Sequence, residues 1–325
     1  MMYITESMVQ NFSMGDFIWG CDRAFHLFNR GIVKNLPRQE RVEKREDMDR
    51  FRLEMCSIWP DSYKACKIIE EQSDITTGSL AHRTAFVDFQ DTKNNVSVKL
   101  DAGNLTDMRT GAAGALALKY VTTCPLRRIA IIGTGRVARR LAIACDMLFE
   151  LEYVSCTSRK RQNREAFFCD IKDNIKAGLK MFPTIEECLR GVDAVLMAVP
   201  TSSPIIDDSV IDRVSYWVVI GGDSRTRQVP QRLLEQYPIV VDEVQQAKKS
   251  GEFIWAQDQG REDSLVFSQT ASGELLTLNE YALLQSETNQ AVIYLTGLAI
   301  HDLCSAAMIY EKIACIEEGP MSYVK

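Results

Sequence analysis

Ile129-Ala-Ile-Ile-Gly133-Thr134-Gly135-Arg136-Val137-Ala138 is the stretch that decides the fold. The aliphatic run reads as a buried strand. The residues after the glycines put Val137, Leu141, Ala144, Cys145 and Leu148 on one face of a helix. Two glycines and a small third residue between a strand and a helix form the pattern that holds a dinucleotide pyrophosphate. Gly133 permits the tight turn, Gly135 lets backbone approach a phosphate, and Ala138 allows close helix–strand packing. The helix N-terminus adds unpaired N–H groups and a positive dipole end. Thr134, Arg136 and Val137 lie in the same loop and are read as cofactor contacts with it.

The surrounding chain repeats the theme. Tyr153-Val-Ser-Cys-Thr, Ala194-Val-Leu-Met-Ala-Val, Tyr216-Trp-Val-Val-Ile and Ile239-Val-Val are short apolar runs that end at turn or polar residues. Apolar strands separated by helices predict an α/β fold, a Rossmann-type doubly wound parallel sheet covered on both faces. Val199 and Pro200 close the Ala194 run and join the candidate cofactor contacts. The strand after the glycine loop ends in Cys156-Thr-Ser158-Arg159-Lys-Arg161. An NAD site places an acid there to accept from the ribose hydroxyls. Three cations and a hydroxyl suit a 2′-phosphate instead. Ser158, Arg159 and Arg161 are therefore read as a phosphate subsite, with NADP(H) preferred over NAD(H).

Upstream, residues 16–30 space Phe17, Ile18, Cys21, Phe25 and Phe28 as an amphipathic helix. The charged stretch 38–52 reads as a solvated loop or strand pair. Lys67-Ile-Ile, 83–89 and 96–101 read as strands, with a hairpin turn over Asp91–Asn95. Thr110-Gly-Ala-Ala-Gly-Ala-Leu-Ala-Leu predicts a helix whose small side chains allow close approach to another backbone or to a cofactor.

Composition narrows the function classes. The 325 residues are 46% hydrophobic and 25% charged, with a net charge of −6. That is globular composition for one large or two linked domains, and a poor one for nucleic-acid or anionic-membrane binding. No apolar run approaches the ~18 residues of a membrane span, and the N-terminus has no signal pattern. The ten cysteines include no Cys-x-x-Cys, and only three histidines accompany them, so no metal site is expected. The thiols are read as free, which fits a cytoplasmic protein.

Leu100-Asp-Ala-Gly-Asn-Leu-Thr-Asp-Met-Arg109-Thr-Gly-Ala-Ala-Gly-Ala resembles the D-G-x-x-L-T-x-x-R-T-x-A-A signature of the ornithine cyclodeaminase/mu-crystallin family. Ile131-Ile-Gly-Thr-Gly-Arg-Val-Ala-Arg resembles its nucleotide loop. Gly221-Gly-Asp223 resembles its segment after the fifth strand, and Thr296-Gly-Leu-Ala-Ile-His-Asp302-Leu its C-terminal G-x-A-I-x-D. The family contains ornithine cyclodeaminases, alanine dehydrogenases, cyclic ketimine reductases and mu-crystallin. The resemblance implies a Rossmann domain, residues 119–291, inserted in a discontinuous α+β dimerisation and substrate domain, residues 1–118 plus 292–325. It implies a homodimer built through that domain's sheet, acting on a small amino or imino acid.

The resemblance also implies roles. Arg109 would clamp the substrate carboxylate bidentately. Arg38, in Leu-Pro-Arg, would be a second carboxylate ligand, with Arg41 as the competing residue. Lys67 would carry a proton to or from the substrate nitrogen, its charge disfavoured by apolar neighbours; Lys64 is the alternative lysine. Asp223 would handle water or the substrate amine, and Glu54 would contact a distal amine. Asp302 reads as a helix-capping or cofactor-side structural residue. The chain departs from the family after Asp223, where Ser224-Arg-Thr-Arg-Gln-Val replaces Pro-Gly-Lys-x-Glu-Leu. The implied activity is oxidoreduction at the C–N bond of an α-imino or α-amino acid. The alternatives are a cyclodeaminase that releases ammonia, and a non-enzymatic NADPH-binding protein.

Overall fold

Long strands with alternating burial build most of the first hundred residues. The computed structural model describes residues 2–45, 48–75, 80–284 and 288–317. It divides into two units, Met1–Arg109 with Leu298–Lys325, and Thr110–Gly297.

The first unit carries a seven-stranded mixed sheet: β1 (Met2–Ile4), β2 (Lys34–Asn35), β3 (Gln39–Lys44), β4 (Met48–Trp59), β5 (Tyr63–Asp74), β6 (Leu80–Asp91) and β7 (Val96–Asp101). Its order is β1-β7-β6-β5-β4-β2, with β3 also paired to β4. Register sets the inner face. Met55, Lys67, Val87 and Leu100 lie opposite one another in one row, and Ser57, Ala65, Phe89 and Val98 in the next. Both rows are buried. The helix Ala299–Glu317 packs on β4, β5 and β6, and beside it lies the helix Met14–Asn29, closed by a Ser13/Asp16 capping box. The charged stretch over 38–52 forms the β3–β4 pair, and the turn after β6 is held by Asp91, which accepts from the backbone of Lys93 and Asn94.

The register corrects the expectation that every thiol is free. Cys56 and Cys66 face each other across the β4–β5 hairpin on the outer face of the sheet and form a disulfide, their Cα atoms 4.0 Å apart. Ten residues of sequence separate them, and only the pairing of the two strands makes them neighbours. Cys145, Cys156 and Cys304 are buried free thiols, as their apolar settings predict.

The second unit carries a seven-stranded sheet, parallel throughout: β8 (Arg128–Ile132), β9 (Tyr153–Thr157), β10 (Gly178–Phe182), β11 (Ala194–Met197), β12 (Tyr216–Ile220), β13 (Ile239–Val241) and β14 (Ala291–Leu295), in the order β10-β9-β8-β11-β12-β14-β13. The chain winds outward from β8 to β10, returns, and winds the other way from β11. That reversal makes the β8/β11 boundary a topological switch point. Both expected domain boundaries shift. β14 sits between β12 and β13, so Ala291–Leu295 belong to this sheet and the second boundary falls at Gly297/Leu298. The first falls at Arg109/Thr110, inside the helix Gly103–Val121. The small residues of that helix serve packing within the second unit. A Cβ on Gly111 would stand 2.6 Å from Arg140, and one on Gly114 2.6 Å from Leu141.

Candidate functional site

In the second unit, the candidate residues gather along one edge of the sheet, because parallel strands end together. The helix Arg136–Leu148 starts directly from the glycine loop, and its N-cap Gly135 makes no side-chain cap bond. Gly133 has φ +113°, a left-handed conformation, and a Cβ there would lie 2.8 Å from the Ala198 carbonyl oxygen and 3.1 Å from Val199 Cγ2. Only glycine fits without strain. Gly135 is different: its backbone is extended, and a Cβ would meet nothing within 4 Å. The loop is anchored to β9, since Gly133 N–H donates to the Thr157 carbonyl at 2.9 Å and Cys156 Sγ to the Gly133 carbonyl at 3.3 Å. A tight turn, open space over Gly135 and an uncapped helix N-terminus together fit a dinucleotide pyrophosphate.

The turn after β9 is built by a residue that sequence reading missed. Arg164 donates from Nη1 to the carbonyls of Ser158 and Arg159 and so fixes the turn. Arg159 is exposed, Ser158 half-buried, and Arg161 points to solvent, where it pairs with Glu165 at 2.6 Å. Its spacing from Glu165 is i to i+4 on a helix. At the end of β11, Val199 N–H donates to Gln228 Oε1 at 3.3 Å. At the end of β12, Asp223 is clasped by Arg225, which donates from its backbone N–H at 2.8 Å and from Nη2 at 2.9 Å. Beneath Asp223, Gly222 packs on the Tyr294 ring, where a Cβ would come within 2.4 Å. The Tyr294 hydroxyl donates to the buried Glu252, which also accepts from Gln228 N–H at 2.6 Å.

The first unit holds a buried ionic cluster. Lys67 projects from β5 and is 1% exposed. Its ammonium lies 2.8 Å from Asp302 Oδ2 and donates to Oδ1 at 3.1 Å. Arg109 Nε donates to the same Oδ1 at 2.9 Å. Two cations thus share one carboxylate, and all three side chains are almost fully out of water. Burial, reinforced by the Arg109 charge and opposed by Asp302, lowers the Lys67 pKa to about 7. Burial alone would raise the Asp302 pKa, but Arg109 and Lys67 outweigh it and hold the carboxyl below its usual range.

The group that joins Lys67 to Arg109 is Asp302, which the sequence alone reads as a helix-capping or cofactor-side structural residue. The signal was present: an aspartate in the apolar run Ala299-Ile-His-Asp-Leu-Cys is almost never fully buried unless paired. Glu54 is corrected. It pairs across β4 and β5 with Ile68, whereas Lys67 pairs with Met55, so strand alternation sends Glu54 to the opposite face of the sheet. There it accepts from Arg52 at 2.8 Å. Arg38 is held at the start of β3, donating from Nε to Glu40 at 2.7 Å.

His301 adjoins the cluster, edge-on to Phe25 with ring centroids 4.5 Å apart. Neither ring nitrogen has a hydrogen-bond partner among the described residues. Burial, with Arg109 beside it, lowers its pKa to about 3. The folded state therefore binds fewer protons than the unfolded one between pH 6.5 and about 3. Stability falls as pH drops through that window, by up to about 1.4 kcal/mol per pH unit. His301→Leu is expected to flatten this acid limb in urea unfolding measured across the same range. An unchanged limb would show that His301 does not cause it.

A parallel sheet with a glycine loop at its switch point, in a chain whose other unit buries a Lys–Asp–Arg cluster, defines a dinucleotide-binding type of two-unit protein. The chain matches the ornithine cyclodeaminase/mu-crystallin family over residues 1–316, and it belongs to that family. It is 26% identical to the alanine dehydrogenase of Archaeoglobus fulgidus over 215 residues, 66% of this chain and 65% of that protein. It is 21% identical to the ketimine reductase mu-crystallin of Rattus norvegicus over 234 residues, 71% of this chain and 70% of the other. Its fold is shared with the Δ1-pyrroline-2-carboxylate reductase of Thermococcus litoralis, solved with NADH and L-proline. That match has a TM-score of 0.84 at 22% identity and covers 98% of both chains. No helix among the described residues is long and apolar enough to cross a membrane.

Proposed function

We propose that this protein is a nicotinamide-dependent oxidoreductase acting at the C–N bond of an α-imino or α-amino acid, a homodimer that prefers NADP(H) to NAD(H). The observation that carries this reading is the buried cluster of Lys67, Asp302 and Arg109 in a chain that also holds the glycine cradle. The Arg109 fork matches a carboxylate and fixes the α-carbon of the substrate. Lys67, with a pKa near 7, gives a proton to the imine nitrogen on reduction and takes one from the amine on oxidation. A dinucleotide held by its pyrophosphate at Gly133–Ala138 would supply hydride chemistry at the substrate carbon. Pyrroline-carboxylate and ketimine reductases and an alanine dehydrogenase among the relatives support this reaction class. The archaeal alanine dehydrogenase, solved as a dimer with bound NAD, supports the assembly.

The basic turn Ser158-Arg159-Lys160-Arg161, with no acid in it, supports NADP(H). The test is a matched titration with NADPH and NADH, followed at the nicotinamide absorbance while Δ1-pyrroline-2-carboxylate is added. Absorbance loss with NADPH is expected. Arg159→Glu is expected to weaken NADPH about 10-fold or more while sparing NADH, because it removes one charge-assisted contact and adds a repulsive one. Ammonia release from ornithine without net nicotinamide turnover would instead make the protein a cyclodeaminase. Tight NADPH binding with no turnover of any imino acid would make it a binding protein.

A further inference from the structure

We propose that Asp302 is a positioning residue: shared between the Lys67 ammonium and the Arg109 guanidinium, it keeps Lys67 protonatable and aims Arg109 at the substrate carboxylate. This rests on the proposed roles of Lys67 and Arg109. The geometry argues for it directly. One carboxylate oxygen accepts from both cations, at 3.1 Å and 2.9 Å. The bond from Arg109 uses Nε, the edge of the guanidinium. A carboxylate meeting the two terminal nitrogens end-on would not displace Asp302.

Charge counting gives the consequence. With Lys67 protonated, the cluster carries two positive charges and one negative, in a place that water barely reaches. The groups that face Lys67 are few. Asp302 and the neutral His301 come from the helix Ala299–Glu317, Arg109 from the helix Gly103–Val121, and Arg83 from β6. The residues directly opposite it on the sheet, Met55 and Val87, are apolar. Asp302 is thus the anion that supports the Lys67 charge, and the other charged groups oppose it. A substrate carboxylate would bring a second anion, so binding it would favour protonation of Lys67, the form that donates in imine reduction.

The test titrates Lys67 directly. Protein labelled with [ζ-15N]lysine, its Lys67 resonance assigned by loss in Lys67→Met, is followed by NMR against pH. The wild-type midpoint is expected near 7, and Asp302→Asn is expected to move it down by about one pH unit or more. In the same variant, the limb of imine reduction that falls with rising pH should move to lower pH with the midpoint. A structural role alone would lower activity at all pH values and leave both midpoints in place, and that result would overturn the proposal. If Asp302→Asn is too unstable to titrate, Asp302→Asn/Lys67→Met is expected to recover stability by removing one of the two stranded cations. A double variant no more stable than the single one would equally overturn it. If the wild-type protein reduces no imino acid, the functional reading fails, while the Lys67 titration still decides the role of Asp302.

Discussion

Replacing Lys67 by methionine is expected to lower kcat for imine reduction about 10³-fold, within the range of a positioned general acid. The change keeps side-chain length and removes only the ammonium. Asp302 remains paired with Arg109, and the methionine meets Met55 and Val87, so the fold is expected to persist. The proposed nucleotide loop, Gly133–Ala138, lies in the other unit, so nucleotide binding should be unchanged. Two pH signatures accompany the loss. In the wild type, reduction is expected to decline as pH rises through about 7, where Lys67 would lose its proton, and the variant should lack that decline. The lowered pKa of Lys67 also means that the folded state binds fewer protons than the unfolded one between about 7 and 10.5, so wild-type stability gains from Lys67 as pH rises through this window. Lys67→Met should lose that gain. Steady-state kinetics with circular dichroism melts measures both, and a variant with near wild-type kcat would remove Lys67 from the chemistry.

Gly135→Val should separate cofactor binding from folding. The Gly135 backbone is extended, which valine adopts readily, and its Cβ would meet no protein atom within 4 Å. The melting temperature should therefore stay within a few degrees. The added side chain would fill the space above the helix N-terminus and block the N–H donors there. Losing such charge-assisted bonds to a pyrophosphate is expected to cost about 3 kcal/mol, or roughly 100-fold in affinity. Fluorescence titration with NADPH checks it. Gly133→Val is the contrast, because its positive φ and the Ala198 carbonyl at 2.8 Å make any side chain strike the fold itself. Unaltered NADPH affinity in Gly135→Val would mean that the nucleotide does not lie over this loop.

The two halves of the candidate site differ in how far the sequence could reveal them. The glycine cradle was legible because it is local: strand, turn and helix follow one another within Arg128–Leu148, and each conformational demand falls on a residue named in that stretch. Five strands of the parallel sheet, β8, β9, β11, β12 and β13, were legible for the same reason, as short apolar runs with polar ends. β10 and β14 were not read as strands, and the insertion of β14 between β12 and β13 is a choice of pairing partner that no local pattern encodes.

Local sequence was enough for the glycine loop, five strands of the parallel sheet and the helix Met14–Asn29, and the family resemblance singled out Lys67 and Arg109. Tertiary structure alone decided what those two residues do to each other. Asp302 lies 235 residues from Lys67 and 193 from Arg109, and only the packing of the helix Ala299–Glu317 on β5 brings the carboxylate between them. The same register that turns Lys67 inward turns Glu54 outward and sets Cys56 against Cys66. A strand's alternation is local, but which face is buried depends on what packs against it, and that is a property of the folded chain.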